Sequence, residues 1–181
     1  MSHHPIEFRY EVRPEDRGVV RALVESTGVF SPIEVEVAVE LVDDRLEIGA
    51  QCDYKFVFAE LDHRAVGYTS YGPIALTAAS YDLYWIAVDK ACHGRKIGQS
   101  LMKKTEELIH EAGGQRVYIE TSSRHPYAPT RGFYLRCGYH EEARLKDFYA
   151  PGDDKVIYVR ELQPLLPPIP LGGLTEPLGQ G

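Results

Sequence analysis

The sequence predicts a mixed α/β domain, one central sheet flanked by helices, with elements in the order β-α-α-β-β-β-α-β-α-β-β. Three observations predict it. Residues Ile6 to Val12 alternate apolar and polar side chains, the period of two that marks a half-buried strand. From Gly94 to Ala112 the period becomes 3.6: Leu101, Met102, Thr105, Leu108, Ile109 and Ala112 share one face, opposite Lys103, Lys104, Glu106, Glu107 and Glu111. Between these segments lie three strand-like runs separated by turn residues.

The first strand, Ile6 to Val12, leads into a helix signalled by Pro14, by Glu15 and Asp16 at the positive end of its dipole, and by Gly28 as a stop. Pro32 opens a second helix carrying Val35, Val39, Leu41 and Val42 and ending before Gly49. Lys55 to Leu61 and Ala65 to Tyr71 read as strands joined by the turn Asp62-His63-Arg64, and Ser80 to Val88 as a third, together an antiparallel meander. Gly113-Gly114 stops the amphipathic helix, and Val117 to Thr121 forms a short strand. A helix over Tyr127 to Cys137 is closed by Gly138. Strands Tyr139 to Phe148 and Lys155 to Leu162 flank a Pro151-Gly152-Asp153 turn.

With 181 residues, the chain is sized for one domain with a short remainder. That domain spans residues 1–162. Residues 163–181 hold five prolines and four glycines, with Glu176 the only charged side chain, and read as a tail. Its leucines and isoleucine (Leu165, Leu166, Ile169, Leu171, Leu174) leave open an arm lying on its own domain or on the neighbouring subunit of a homodimer.

A formal net charge of −7 disfavours general attraction to nucleic acid or to an anionic membrane, so an anionic ligand needs a local device. The longest uncharged run, Ala65 to Tyr81, is broken by Gly67, Gly72 and Pro73 and is no membrane helix. The first ten residues contain Glu7 and Arg9 and no apolar signal segment, which predicts a cytoplasmic protein. Cys52, Cys92 and Cys137 are odd in number and widely spaced, and predict neither a disulfide framework nor a metal site.

The segment Leu83 to Gly98, LYWIAVDKACHGRKIG, carries the chemistry: an apolar strand, a loop with two glycines, then an amphipathic helix. Free N–H groups at a helix start bind a diphosphate without a protein-wide basic field. Gly94 and Gly98 allow close approach of the backbone, and Arg95 and Lys96 add positive charge. Neither GxxxxGK[ST] nor GxGxxG is present.

This segment resembles the acyl-CoA motif of the GNAT superfamily of N-acetyltransferases, [QR]-x-x-G-x-[GA]. Here the motif reads His93-Gly94-Arg95-Lys96-Ile97-Gly98, with His93 in place of Gln or Arg and Lys96 in place of the first Gly. Lys96 is therefore expected to take an ordinary helical φ. A second likeness is Phe133-Tyr134-Leu135-Arg136-Cys137-Gly138-Tyr139, a helix ending in an aromatic-Tyr pair followed by Gly-aromatic. The element order matches too, so the resemblance covers roughly Ile6 to Leu162 and implies a GNAT-type mixed sheet.

The resemblance implies acetyl-CoA as cosubstrate, no metal, and direct transfer of acetyl to a primary amine. Ile86, Ala87 and Val88 would hold the pantetheine arm through their backbone, and residues 93–98 the diphosphate. A phenol stays protonated at neutral pH, and the superfamily's general acid falls on Tyr134. For the base two carboxylates stand open, as does a water chain with no dedicated base. Asp82, six residues before Val88, matches the position of the basic Glu in histone-acetylating members. Glu120 resembles the Glu of members acetylating ribosomal protein termini and has the longer reach, so it is expected to outweigh Asp82. Alternation puts Asp82, Tyr84, Ile86 and Val88 on one face, with Trp85 in the core opposite. The alternative is a non-catalytic acyl-CoA-binding module.

Overall fold

A computed structural model describes residues 5–162; the expected Pro/Gly-rich tail, residues 163–181, lies outside them. The elements are β1 (Glu7–Arg9), α1 (Asp16–Thr27), α2 (Pro32–Ile48), β2 (Lys55–Leu61), β3 (Arg64–Pro73), β4 (Ser80–Val88), α3 (Ile97–Glu111), β5 (Arg116–Ser122), α4 (Ala128–Arg136), β6 (His140–Ala150) and β7 (Asp153–Glu161). This is the predicted order. One seven-stranded sheet runs β1-β2-β3-β4-β5-β7-β6, antiparallel except where β4 meets β5.

Two apolar clusters cover its faces. Val20, Leu23 and Val24 of α1 and Val35, Val39 and Val42 of α2 pack with Phe56, Phe58, Tyr68 and Ala87. On the other face Ile97, Leu101, Met102 and Ile109 of α3 and Tyr134 of α4 pack with Val57, Leu83, Val117, Ile119 and Val156. The helix ends follow local chemistry. Ser31 accepts from Glu34 N–H and Glu34 from Ser31 N–H, a capping box ahead of Pro32, and Gly28 closes α1 at φ 68°. The α1 start lies two residues beyond Pro14. There the buried Asp16 accepts from Arg13 N–H at 2.7 Å and takes a two-point ion pair from Arg9 at 2.8 and 2.9 Å.

One turn and two strands differ from expectation, each because cross-strand pairing decided it. The β2–β3 turn has two residues rather than three. Asp62 and His63 both adopt positive φ, 51° and 60°, the geometry of a tight hairpin, and Arg64 pairs with Leu61 inside the strand. In β4, Ser70 of β3 pairs with Trp85 and Tyr71 with Leu83, so Tyr84 is a bulge. The β6 strand runs on to Ala150. Between the pairs Leu145–Lys155 and Ala150–Asp153, residues 146–149 face a single residue of β7. Asp147 N–H donates to Asp154 Oδ1 at 3.0 Å and Gly152 N–H to Asp147 Oδ1 at 2.7 Å, which holds this larger bulge in shape.

The sheet opens at its centre. Only Ser80, Tyr81 and Asp82 of β4 pair with Arg116, Val117 and Tyr118 of β5. Beyond Asp82, β4 continues along β3 and β5 along β7, leaving a wedge between them.

Candidate active site

One side of the wedge leads to the α3 start. After Val88, the Asp89 carboxylate accepts from Ala91 N–H at 2.9 Å and from Arg64 at 2.9 Å, and His93 Nε2 donates to the Val88 carbonyl at 3.0 Å. Residues 93–96 are exposed, and α3 begins at Ile97 with first-turn N–H groups that have no intrahelical acceptor. Gly94 has φ 79°. The expected helical φ at Lys96 is not found: this residue sits at φ 62°, ψ 13°, the left-handed region. The turn into α3 demands that conformation of whatever residue stands there, and an L side chain adopts it at a cost of about 1 kcal/mol. Gly98 answers a different demand. A Cβ at this position would meet the Phe133 ring at 3.3 Å and Val88 Cγ2 at 3.7 Å, so α3, α4 and the end of β4 converge here.

Convergence at Gly98 places Tyr134, the next residue of α4 after Phe133, under the wedge on the α3 face of the sheet. Tyr134 is 6% exposed, with ring centroids 5.8 Å from Phe133, 5.9 Å from Tyr158 and 6.3 Å from Tyr139. Burial pushes its phenol well above the ordinary tyrosine range, so it holds its proton throughout the neutral range.

The opposite face of the wedge carries carboxylates. Val117 and Ile119 of β5 and Val156 and Tyr158 of β7 belong to the α3-side cluster, so Glu120 and Lys155 project to the α1 and α2 side. The Tyr84 bulge reverses the predicted alternation of β4: Tyr81, Leu83, Ile86 and Val88 share the α3 face, whereas Trp85 and Ala87 pack with α1 and α2. Asp82 therefore lies on the same face as Trp85, not with Ile86 and Val88. Asp82 and Glu120 do border the wedge together. Burial first, then Glu120, raises the Asp82 carboxyl to about 6, while Lys155 pulls it down.

Glu120 is already engaged. Lys155 Nζ lies 2.6 Å from its Oε2, and the same ammonium sits 4.0 Å above the Phe148 ring and 5.9 Å from that of Tyr149. This ion pair engages Oε2 of Glu120, whose side chain is otherwise half exposed. On the α1 and α2 side, Phe30 packs 4.9 Å from Trp85 and 6.1 Å from Tyr127. Lys155, Phe148, Tyr149, Phe30 and Tyr127 escaped sequence reasoning. None lies in a motif, and the bulge that brings Phe148 over Lys155 has no local signature.

The Acetyltransferase (GNAT) domain family matches residues 52–141, from before β2 to the start of β6. A crystal structure of a GNAT-family protein from Desulfovibrio desulfuricans superposes with a TM-score of 0.85 at 46% identity, covering 88% of this chain and 100% of that one. The chain belongs to the GNAT acetyltransferase family.

An uncharacterized N-acetyltransferase of Methanocaldococcus jannaschii is similar at 29% identity over 106 residues, 59% of this chain and 65% of that protein, so the match spans just under two thirds of the relative's length. The PaiA N-acetyltransferase of Thermoplasma acidophilum, solved in complex with coenzyme A, shares the fold at 18% identity and a TM-score of 0.67 over 87% of this chain and 99% of that one. In this GNAT chain the predicted donor residues Ile86, Ala87, Val88, His93, Gly94, Arg95, Lys96, Ile97 and Gly98 form one continuous path from the wedge to the α3 start. Among the described residues no helix is long and apolar enough to cross a membrane.

Proposed function

We propose that this protein is an acetyl-CoA-dependent N-acetyltransferase that moves the acetyl group directly to a primary amine. One observation carries the reading: Tyr134 is buried on the α3 face of the sheet, and Asp82, the last β4 residue paired with β5, lies on the other face where the wedge opens, so a phenol and a carboxyl are held on its two sides. Addition of an amine to a thioester carbonyl gives a tetrahedral intermediate whose nitrogen must lose a proton and whose departing sulfur must gain one, so two separate groups, a base and an acid, match the two proton transfers. The coenzyme A held by the Thermoplasma structure supports the choice of donor.

The residues present fit that donor. Backbone groups of Ile86, Ala87 and Val88, paired with β3 but beyond the stretch of β4 paired with β5, would take the pantetheine arm as an added strand. The exposed loop from His93, the first-turn amides of α3 and the side chains of Arg95 and Lys96 would take the diphosphate, while Gly98 lets the start of α3 pack closely on Phe133 and Val88. The acceptor nitrogen forms the new C–N bond as the C–S bond breaks. Asp82 receives the proton that the amine loses, and Tyr134 supplies the proton that the departing thiolate gains. Asp82 replaces Glu120 as the assigned base because Glu120 is held by Lys155.

The test is a turnover assay following CoA thiol release over a panel of primary amines. Acetyl-CoA-dependent release with at least one amine supports the reading. CoA binding with no release for any amine would favour the non-catalytic acyl-CoA-binding module instead.

A further inference from the structure

Lys155 has no place in the motifs, yet it occupies the centre of the acceptor side. Across one face of the sheet four strands contribute a row: Asp82 from β4, Glu120 from β5, Lys155 from β7 and Phe148 from β6. Register explains the spacing. Asp82 pairs with Tyr118, Glu120 lies two residues beyond it on β5, Glu120 pairs with Ile157, and Lys155 lies two residues before that on β7. The Lys155 side chain is 15% exposed, and its ammonium fills the space between a carboxylate at 2.6 Å and an aromatic ring at 4.0 Å. The bulge at residues 146–149 exists in a shape that puts that ring there.

We propose that Lys155 is a positioning residue of this site: its ammonium, seated on Phe148, engages Glu120 and leaves Asp82 as the carboxylate that takes the acceptor proton. The proposal rests on the acetyl-transfer reading for its consequence, though the arrangement itself is independent of turnover.

Two adjacent carboxylates without a cation would each oppose the ionisation of the other. Lys155 supplies the compensating charge from the side away from Asp82, so Glu120 is satisfied and Asp82 remains free to bind and release a proton. The other charged or titratable groups around the row are already partnered or lie farther out. Tyr84 on β4 faces Asp82 and Asp53, and Tyr149 on β6 faces Glu120, Asp153 and Glu34. Asp153 is paired with Arg124 at 3.0 Å, and Glu34 of α2 accepts from Ser31 and Tyr127. No second cation among these reaches Asp82 closely enough to take over from Lys155.

Titrating the Asp82 side-chain carboxyl by ¹³C NMR in aspartate-labelled protein tests this without any acceptor; its signal is assigned by its loss in Asp82→Asn. In Lys155→Gln the midpoint should rise by about one pH unit, because a nearby cation has been removed, and Lys155→Arg should bring it back towards the wild-type value. With an active amine in hand, the acid limb of kcat/KM should move by the same amount while the acetyl-CoA Kd changes less than about twofold. An unmoved NMR midpoint in Lys155→Gln overturns the role of Lys155 whatever the enzyme does. A midpoint that moves while the acid limb stays put overturns it as well. An acid limb that survives Asp82→Asn instead removes Asp82 as the base, and the positioning role falls with it.

Discussion

Tyr127 donates its phenolic proton to Glu34 Oε1 at 2.8 Å, tying the first turn of α2 to the segment that enters α4 across 93 positions of sequence. Burial opposes ionisation of Glu34, but hydrogen bonds from Ser31 and Tyr127 outweigh it and hold the carboxyl below its ordinary value. The same hydroxyl is pushed up by burial and by Glu34. Tyr127→Phe should lower stability by about 1 kcal/mol, less than a fully buried charged hydrogen bond because both groups are partly wetted. Chemical denaturation measures it. The ring remains beside Phe30, which also packs on Trp85, so the variant should leave CoA binding alone, which calorimetry checks.

Gly98→Glu should weaken CoA binding by about 100-fold or more, or ~3 kcal/mol. The new Cβ would press on the Phe133 ring at 3.3 Å and crowd Val88, displacing the start of α3 and its first-turn amides, and would add a negative charge next to them. Calorimetry on the folded variant decides this, with undiminished affinity as the contrary result.

Tyr134→Phe should reduce kcat on the order of 10²-fold with little change in acetyl-CoA affinity, because a proton donor is lost and almost no volume. Burial holds the phenol above the neutral range, so the wild-type profile should show no basic limb from Tyr134 below about pH 10. Steady-state kinetics over pH measures both.

Asp82→Asn should remove the acid limb of kcat/KM, which in the wild type falls tenfold per pH unit below about 6 as the base becomes protonated. The linkage to stability has the opposite sense from a salt-bridged aspartate. The folded protein holds the Asp82 proton more tightly than the unfolded chain, so its contribution to stability is lost as pH rises from 3.8 to about 6 and is absent above. The full shift corresponds to ~3 kcal/mol, reduced to about 1 to 2 kcal/mol for a carboxyl that water partly reaches. Asp82→Asn should therefore raise Tm at pH 7 while lowering activity, and thermal melts at pH 4 and pH 7 should show the gain only at the higher pH.

Lys96→Gly should stabilise the protein by about 0.5 to 1 kcal/mol, because glycine takes φ 62° without the steric cost that lysine bears, less its larger loss of chain entropy. Denaturant melts of the two proteins compare them directly. Should the lysine charge assist diphosphate binding, the same substitution will weaken CoA affinity while it strengthens the fold.

What is local in this protein was determined by the sequence alone. Element order, the Ser31 capping box, the Gly28 stop, the loop from His93 to Gly98 and the seat of Tyr134 on α4 all depend on residues within a turn or two of one another, where spacing and side-chain chemistry suffice. The carboxylate side was decided by tertiary structure. The Tyr84 bulge arises from how β4 pairs with β3, and it moved Asp82 to the face of Trp85 against the alternation of its own strand. Glu120 and Lys155 lie 35 positions apart and meet only because β5 pairs with β7, and Phe148 reaches that ammonium only through the β6 bulge. Lys96 took a left-handed backbone because the turn into α3 imposes it. Alternation and propensity describe one strand at a time, whereas the choice between two candidate bases depends on which charges neighbouring strands bring within a few ångströms, and that is set by register across the sheet.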